Sequence, residues 1–245
     1  MNQNQEYALE VNNLNVTYKD LGYFSIKKML FKNEKIERKS FHAVKDVSFK
    51  IPKGQIWGLI GRNGSGKSTL LNAITGIFSP DSGYVDLKDN TVSLLSIGVG
   101  FKKELSGREN ILISGMLLGF SKEYVTEKMN EIIEFSELGE FIDKPVRTYS
   151  SGMYSKLAFS VTASLETDIM LIDEVLSVGD ESFKKKSFKK MKQLISDDNR
   201  TVIIVSHNLG TLEELCDTVM WMDSGEIKMT GNPEEVLVKY LEYME

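Results

Sequence analysis

The order of apolar and polar residues along the chain predicts strands that alternate with helices. Short, continuously apolar runs lie at 56–60, 169–172 and 201–205, and such runs are typical of strands covered on both faces. Apolar and polar residues alternate from 44 to 51 and then meet the turn residues 52–54. This alternation indicates a strand that ends at the turn. The chain is therefore expected to contain a central sheet.

Shorter strands are predicted near both ends of the chain. Residues 8–11 and 15–18 have the pattern of two short strands around a turn. Residues 220–222 and 226–229 flank the sequence Asp-Ser-Gly at 223–225, which predicts a hairpin.

Apolar residues at helical spacing mark the remaining segments. They occur from 68 to 77, in three segments between about 107 and 165, and from 233 to 245. The length of 245 residues fits one α/β domain spanning 1–245, with a helical subdomain at about 107–165.

Composition narrows the class of protein. Hydrophobic residues make up 41% of the chain and charged residues 27%, the balance of a globular protein rather than a disordered one. The net charge of −5 gives no reason to expect a nucleic-acid partner. Cys216 is the single cysteine, so no disulfide can form within the chain, and we interpret it as a small buried hydrophobe. No apolar run is long enough to cross a bilayer.

A basic insertion at 19–41 departs from this balance. Between Tyr18 and Phe41 lie seven Lys/Arg and three Asp/Glu, a local net charge of +4. Ile26, Met29 and Leu30 lie at helical spacing within it. Two interpretations stay open: a basic amphipathic helix near anionic lipid or a partner chain, or a solvated insertion.

The strand predicted at 56–60 leads directly into a glycine-rich loop. Gly61, Gly64 and Gly66 let backbone N–H groups approach phosphate oxygens, and the following helix directs its N-terminal dipole at them. Lys67 supplies positive charge to the β- and γ-phosphates, and the Ser68 hydroxyl can bind Mg²⁺. The residues expected to contact a nucleoside triphosphate are Gly61, Arg62, Asn63, Gly64, Ser65, Gly66, Lys67, Ser68 and Thr69.

Polar residues follow two of the predicted buried strands. Asp173 and Glu174 come after the run 169–172, at the strand end where open α/β sheets place ligands. We expect Asp173 to bind Mg²⁺ and Glu174 to act as general base toward the attacking water. His207, after the run 201–205, can hydrogen-bond the γ-phosphate and hold the water in register with Glu174.

A second anion-binding device is predicted at a helix start. Ser150 and Gly152 precede the helical stretch that begins at Lys156. Taken alone, this segment could be an ordinary N-cap; its position upstream of Asp173 favours the functional interpretation.

The order of these motifs resembles the ATP-binding cassette (ABC) ATPases over essentially the whole chain. The resemblance implies a P-loop NTPase α/β core with a mixed β-sheet, an antiparallel β subdomain and a helical signature subdomain. It also implies ATP as substrate, Mg²⁺ as cofactor, and a second copy of the chain arranged head to tail. In that pair, Ser150 and Gly152 of one copy would close on ATP held by the phosphate loop of the other.

The same comparison implies roles for three further residues. Ser177 and Asp180 resemble the loop that links the two sites, and Tyr18 resembles the aromatic residue that stacks on adenine. Phe41, beyond the insertion, is the alternative for the stacking role.

Two departures from the family pattern stand out. Ser151 and Met153 replace a glycine and a glutamine of the usual signature. The glutamine that the family usually has near residue 97 is also missing, because residues 96–101 read Ser-Ile-Gly-Val-Gly-Phe. We therefore assign no metal role to that loop.

Four segments resemble the polysaccharide-exporting subfamily: 98–101, 105–110, 149–153 and 173–180. Residues 132–142 are similar to the ATP-binding subunits of wall teichoic acid exporters. This resemblance implies a peripheral subunit at the cytoplasmic face of the plasma membrane. It would power export of a lipid-linked polymer through two copies of a transmembrane permease. Two alternatives stay open: export of O-antigen or capsular polysaccharide, and a non-transport ATPase acting on ribosomes or DNA.

Overall fold

The computed structural model covers the chain with interruptions. Glu174, Ser177, His207 and most of the basic insertion lie outside the residues that it describes. The described residues are 6–19, 40–95, 98–173, 180–195, 200–206 and 208–244.

Within these ranges, strands form two sheets, and five of the six strands in the larger sheet are parallel. The strands are β1 (Tyr7–Lys19), β2 (Ser40–Pro52), β3 (Ile56–Ile60), β4 (Ser82–Asp86), β5 (Val92–Leu95), β6 (Ile169–Asp173), β7 (Thr201–Val205), β8 (Thr218–Asp223) and β9 (Glu226–Gly231). The order in the larger sheet is β5-β6-β7-β3-β8-β9, with β9 antiparallel to β8. The smaller sheet is antiparallel, with the order β2-β1-β4.

Helices follow or separate these strands. The α-helices are α1 (Lys67–Ile74), α2 (Gly107–Leu117), α3 (Lys122–Ser136), α4 (Ser151–Ser164), α5 (Glu181–Ile195), α6 (Leu209–Leu215) and α7 (Pro233–Met244). Two short 3₁₀ helices, Gly139–Asp143 and Val146–Thr148, precede α4.

The larger sheet is covered on both faces, as its apolar strands require. Every residue of β7 is buried. Leu171 and Ile203 belong to one apolar cluster, whereas Met170 and Val202 belong to another. Adjacent residues of a strand point to opposite faces, so neither face of the central strands meets water. The predicted mixed sheet and antiparallel β subdomain are confirmed.

Strand β1 corrects one prediction. The segments 8–11 and 15–18 are not two strands around a turn but parts of one strand that pairs with β2 and β4. The pairing with β2 shifts register between Val11 and Leu14, and Asn13 has φ 46°. A bulge therefore absorbs the polar residues that suggested a turn, and the strand continues beyond it.

The predicted helical region between 107 and 165 is confirmed as α2, α3 and α4. Ser106 and Glu109 form a capping box at α2, and the Ser121 side chain caps α3, so the sequence itself marks both helix starts. These helices enclose an apolar cluster of their own, which includes Ile111, Ile132 and Leu157.

The structure also tests three smaller predictions. Helix α1 is shorter than the predicted 68–77: it ends at Ile74, and Gly76 follows with φ 74°. Ser224 and Gly225 also have positive φ and form the predicted hairpin turn between β8 and β9. Cys216 is buried, and burial raises the pKa of its thiol to about 12, as expected for a small buried hydrophobe. In the described ranges, no helix is both long and apolar enough to span a membrane.

Candidate nucleotide-binding site

The phosphate loop connects the end of β3 to the start of α1. Gly66 occupies the N-cap position with φ 106°, and no side chain caps the helix there. The first turn of α1 contains no acidic residue. A helix N-terminus with neither a capping side chain nor a local negative charge is suited to bind an anion.

The three glycines of the loop are required for different reasons. A Cβ on Gly61 would collide with the backbone oxygen of Met222, and a Cβ on Gly66 would collide with that of Ala43. By contrast, Gly64 has φ 80° and open space around the Cβ position. The sequence analysis explained all three glycines by the close approach of the backbone to phosphate, and this explanation fits Gly64 best. Gly61 and Gly66 are needed where the loop packs on neighbouring backbone.

Lys67 lies inside the curve of the loop. Its Nζ donates hydrogen bonds to the carbonyl oxygens of Gly61 (2.7 Å) and Arg62 (3.0 Å), and the residue is buried. Ser68 is exposed at the second position of α1. The loop therefore presents a buried cation and an accessible hydroxyl at one helix start.

Both candidate adenine-stacking residues lie beside this loop. Tyr18 and Phe41 are directly paired across β1 and β2, and both are exposed. The Tyr18 hydroxyl lies 3.1 Å from the hydroxyl of Thr69 in the first turn of α1, and its ring meets Phe78 edge-on. The geometry brings Tyr18 to the phosphate loop and leaves Phe41 as its immediate neighbour.

The ends of β6 and β7 lie at the same sheet edge as the phosphate loop. Asp173, the last residue of β6, pairs with Val205 of β7, and β7 pairs in parallel with β3. Glu174 and His207 lie outside the described residues, but each directly follows a position at this edge. The structure therefore places Asp173 at the sheet edge that leads into the loop, and the positions of Glu174 and His207 stay predictions.

The oxygen donors available here fit Mg²⁺ chemically. A hydroxyl at Ser68 and a carboxylate at Asp173 are hard oxygen ligands, and Mg²⁺ is commonly held by one or two such groups together with substrate phosphates. Over the described ranges, no cluster of three or more His, Cys, Asp or Glu could hold a metal without a nucleotide.

Ser150 caps helix α4 at the other predicted anion site. Its Oγ accepts a hydrogen bond from the backbone N–H of Met153 (3.2 Å). A Cβ added to Gly152 would meet only the Ser150 Oγ, at 3.9 Å. Residues 149–153, called the signature segment below, therefore lie at the capped start of α4 and leave open space at Gly152.

The glycine-containing loop before α2 packs on the helical region. A Cβ on Gly98 would collide with the Tyr154 hydroxyl, and one on Gly100 would collide with the side chain of Leu117. Phe101 packs edge-on against Tyr154, with ring centroids 5.3 Å apart. Within this loop, Gly98 and Phe101 thus lie against α4, and Gly100 lies against α2.

A charged cluster joins that helix to α3 and α5. The Lys156 Nζ lies 2.8 Å from Asp180 Oδ2 and 3.5 Å from Glu137 Oε2, and Lys186 lies 2.7 Å from Glu137 Oε1. Hydrogen bonds from Lys156 and the Phe183 backbone hold the pKa of Asp180 below its ordinary value, and Lys186 does the same for Glu137.

The sequence did not indicate two further supports of the phosphate loop. Gly225, in the β8–β9 turn, donates its N–H to the Ser65 carbonyl oxygen (3.0 Å). The side chain of Arg62 extends from the loop and contacts Tyr243 and Met244 at the end of α7. These partners are far apart in sequence, so no local pattern could have revealed them.

These features define a phosphate-loop nucleotide-binding protein: a buried strand leads into a loop that encloses a lysine, and a helix starts directly after the loop. The model of the ABC transporter family matches residues 44–177, and the chain belongs to this family.

Its relatives include ATP-binding proteins of two export systems. The chain is 52% identical over 200 residues to the O-antigen export system ATP-binding protein RfbB of Myxococcus xanthus, covering 82% of this chain and 46% of the relative. It is 45% identical over 219 residues to the teichoic acids export ATP-binding protein TagH of Lactococcus lactis, covering 89% and 46%. The chain thus spans about half the length of these two curated relatives.

Solved structures agree on the fold. An ATP-binding subunit of an ABC transporter superposes with a TM-score of 0.71 at 20% identity, covering 95% of this chain and 93% of that one. An ATP-binding cassette solved as a dimer in a post-hydrolysis state with ADP and Pi has a TM-score of 0.69 at 21% identity, covering 92% and 98%.

Proposed function

We propose that this chain binds and hydrolyses ATP as the nucleotide-binding subunit of a polymer exporter. The observation that carries the proposal is the phosphate loop, in which Lys67 is enclosed by the carbonyls of Gly61 and Arg62 at the uncapped start of α1. Such an arrangement offers a cation and a helix dipole to a triphosphate.

This function assigns a role to each residue of the site. Lys67 and the N–H groups of the loop bind the β- and γ-phosphates, and Tyr18 or its neighbour Phe41 stacks on adenine. Glu174 accepts a proton from the attacking water, while His207 orients that water against the γ-phosphate. Ser68 and Asp173 would hold Mg²⁺, which, when bound, neutralises charge on the phosphate oxygens.

The complete site requires a second copy of the chain. Ser150 and Gly152 form a capped helix start with open space beside it, which suits the phosphates of a nucleotide bound to a head-to-tail partner. The dimeric cassette among the structural neighbours is the precedent for such an assembly.

The cargo proposed is lipid-linked wall teichoic acid, exported by two copies of a membrane permease with this subunit at the cytoplasmic membrane face. The relative named as a teichoic acid export protein covers 89% of the chain. O-antigen polysaccharide is the second candidate, because a relative named for its export has the higher identity of 52%.

Nucleotide binding and hydrolysis by the purified chain test the enzymatic part. Lys67→Ala removes the charge-assisted contact to phosphate, so its affinity for ATP should fall by at least about tenfold, as measured by calorimetry. The wild-type chain should hydrolyse ATP only when Mg²⁺ is present. Unchanged ATP affinity in a folded Lys67→Ala protein would remove the loop from the binding site.

Polymer analysis in cells tests the cargo. Cells that carry only Lys67→Ala should accumulate one lipid-linked polymer internally and lose it from the surface. A polymer rich in alditol phosphate identifies teichoic acid, and a neutral or acidic glycan identifies the second candidate. Normal surface amounts of both would contradict the export function.

A further inference from the structure

The side chain of Arg62 is held by the end of helix α7. Its guanidinium lies over the ring of Tyr243, 5.3 Å from the centroid, and its Nε donates to Met244 Sδ at 3.1 Å. Arg62 belongs to the phosphate loop, whereas Tyr243 and Met244 are the last two described residues of α7. A cation–π contact therefore joins the nucleotide loop to the C-terminal helix.

Tyr243 also contacts two residues of β8. Its hydroxyl donates to Asp223 Oδ2 (3.3 Å), and its ring lies 5.0 Å from the ring of Trp221. Helix α7 is anchored beneath this end by Val236 and Tyr240, which are buried against the larger sheet. The tyrosine is thus a supported contact on a packed helix, not a freely rotating surface ring.

The same support reaches the loop by a second route. Asp223 is the last residue of β8, and the turn that follows it contains Gly225, whose N–H donates to the Ser65 carbonyl. Tyr243 therefore contacts the Arg62 side chain of the loop and also donates a hydrogen bond to the end of β8, which precedes the turn that bonds the loop.

Arg62 in turn helps to set the position of the loop lysine. Its carbonyl oxygen accepts hydrogen bonds from Lys67 Nζ (3.0 Å) and from the Ser65 N–H (3.1 Å). A residue whose side chain and backbone are both held has fewer conformations to lose when a ligand binds, and such preorganisation improves affinity.

We propose that Tyr243 is a positioning residue for the phosphate loop: by holding the Arg62 side chain, it keeps the loop in the form that binds triphosphate. The inference rests on the proposed ATP-binding function and adds α7 to the site. Tyr243 acts through Arg62 and contacts no nucleotide itself. A displacement of the α7 end would consequently lower nucleotide affinity without any change in the loop sequence.

The test measures ATP affinity of the purified full chain by titration calorimetry, with thermal unfolding recorded in parallel. Tyr243→Ala removes both the ring and the hydroxyl, and should weaken ATP binding about two- to fivefold. Tyr243→Phe keeps the ring over Arg62 but removes the hydrogen bond to Asp223, so it should lose less ATP affinity than Tyr243→Ala. Leu241→Ala is the matched control, because Leu241 is an exposed apolar residue on the same helix.

A double-mutant cycle separates positioning from packing. If Tyr243 acts through Arg62, then adding Tyr243→Ala to Arg62→Ala should cause no further loss of ATP affinity. Full additivity of the two losses would overturn the inference, as would a Tyr243→Ala protein that is less stable but binds ATP normally. Failure of the wild-type chain to bind ATP would instead overturn the proposed function.

Discussion

At the scale of single residues, the glycines of the phosphate loop show how one motif meets several constraints. Gly66 caps α1 with φ 106° and lies against the carbonyl of Ala43 in β2. Gly61 lies against the carbonyl of Met222 in β8. The motif thus fixes the loop against two other strands before any ligand arrives.

Gly66→Ala should disrupt the loop more than a positive φ alone explains. An alanine in this left-handed backbone conformation costs about 1–2 kcal/mol. Its methyl group would also collide with the backbone oxygen of Ala43, which has little freedom to move. We expect a larger loss of unfolding free energy than this, together with loss of ATP binding.

Gly76→Ala is the matched control for that substitution. Gly76 has φ 74° but open space around the Cβ position, so its alanine variant bears the backbone cost without the collision. Chemical denaturation of both variants measures the difference. Equal losses of stability would show that the contact with Ala43 does not matter.

The sequence predicted which residues form the loop but not why each is there. The strand before the motif and the helix after it are local features, and both were predicted correctly in kind. The reasons for Gly61 and Gly66 depend on Met222 and Ala43, which approach only after the sheets have formed. The chemical roles of all the site residues, those of the loop as well as Asp173, Glu174 and His207, stay predictions.

At the scale of elements, the charged cluster around Lys156 joins three helices. Lys156 comes from α4, Asp180 immediately precedes α5, and Glu137 follows α3. Asp180 also accepts the Phe183 N–H at the start of α5 (2.9 Å). The ion pairs therefore fix the helix of the signature segment relative to the element that follows Asp173 and Glu174 in the chain.

Replacement of this lysine should loosen the connection between the helices. The Lys156 side chain is only 16% exposed, so Lys156→Met keeps most of the packing and removes the charge. We expect a loss of about 1 kcal/mol in unfolding free energy at neutral pH. Lys185→Met, at an exposed position of α5, is the control and should leave stability nearly unchanged.

Acid should abolish the difference between wild type and Lys156→Met. The pKa values of Asp180 and Glu137 are lowered in the folded protein, so their stabilising effect is present at neutral pH and is lost as pH falls through the folded values. The gap in stability should therefore shrink below about pH 4. A gap that stays constant under acid would assign the lysine a packing role only.

Element types were more predictable than element limits. Continuous apolar runs identified β3, β6 and β7, since strands buried on both faces leave a clear pattern. β1 was divided wrongly, because the bulge near Asn13 places polar residues where an uninterrupted strand would alternate. Helix α1 was extended too far, since Ile77 continues the apolar spacing although it lies beyond the last turn and is exposed.

At the scale of the whole molecule, the nucleotide loop lies where several parts of the chain meet. β2 contacts it through Ala43, the β8–β9 turn through Gly225, and α7 through Tyr243. The signature segment instead belongs to the helical region, which has its own apolar cluster. The two predicted anion sites are thus built on separately packed parts of one chain.

This arrangement leads to a prediction about assembly. In the proposed head-to-tail pair, the helical region of one copy completes the ATP site on the phosphate loop of the other. Glu174→Gln retains ATP binding but removes the general base, so ATP should persist and hold two chains together. Light scattering after size-exclusion chromatography should show a dimer of this variant with ATP and a monomer without it.

A second substitution tests whether the signature segment forms that interface. Gly152 has open space around its Cβ position and no positive φ, so Gly152→Asp is compatible with the fold while placing a negative charge where the partner's phosphates would lie. Gly152→Asp combined with Glu174→Gln should bind ATP with little loss of affinity yet remain a monomer, because the charge repels the triphosphate across the interface. A dimer of the double variant would remove the signature segment from the ATP site. A monomer of Glu174→Gln with bound ATP would refute the composite site as a whole.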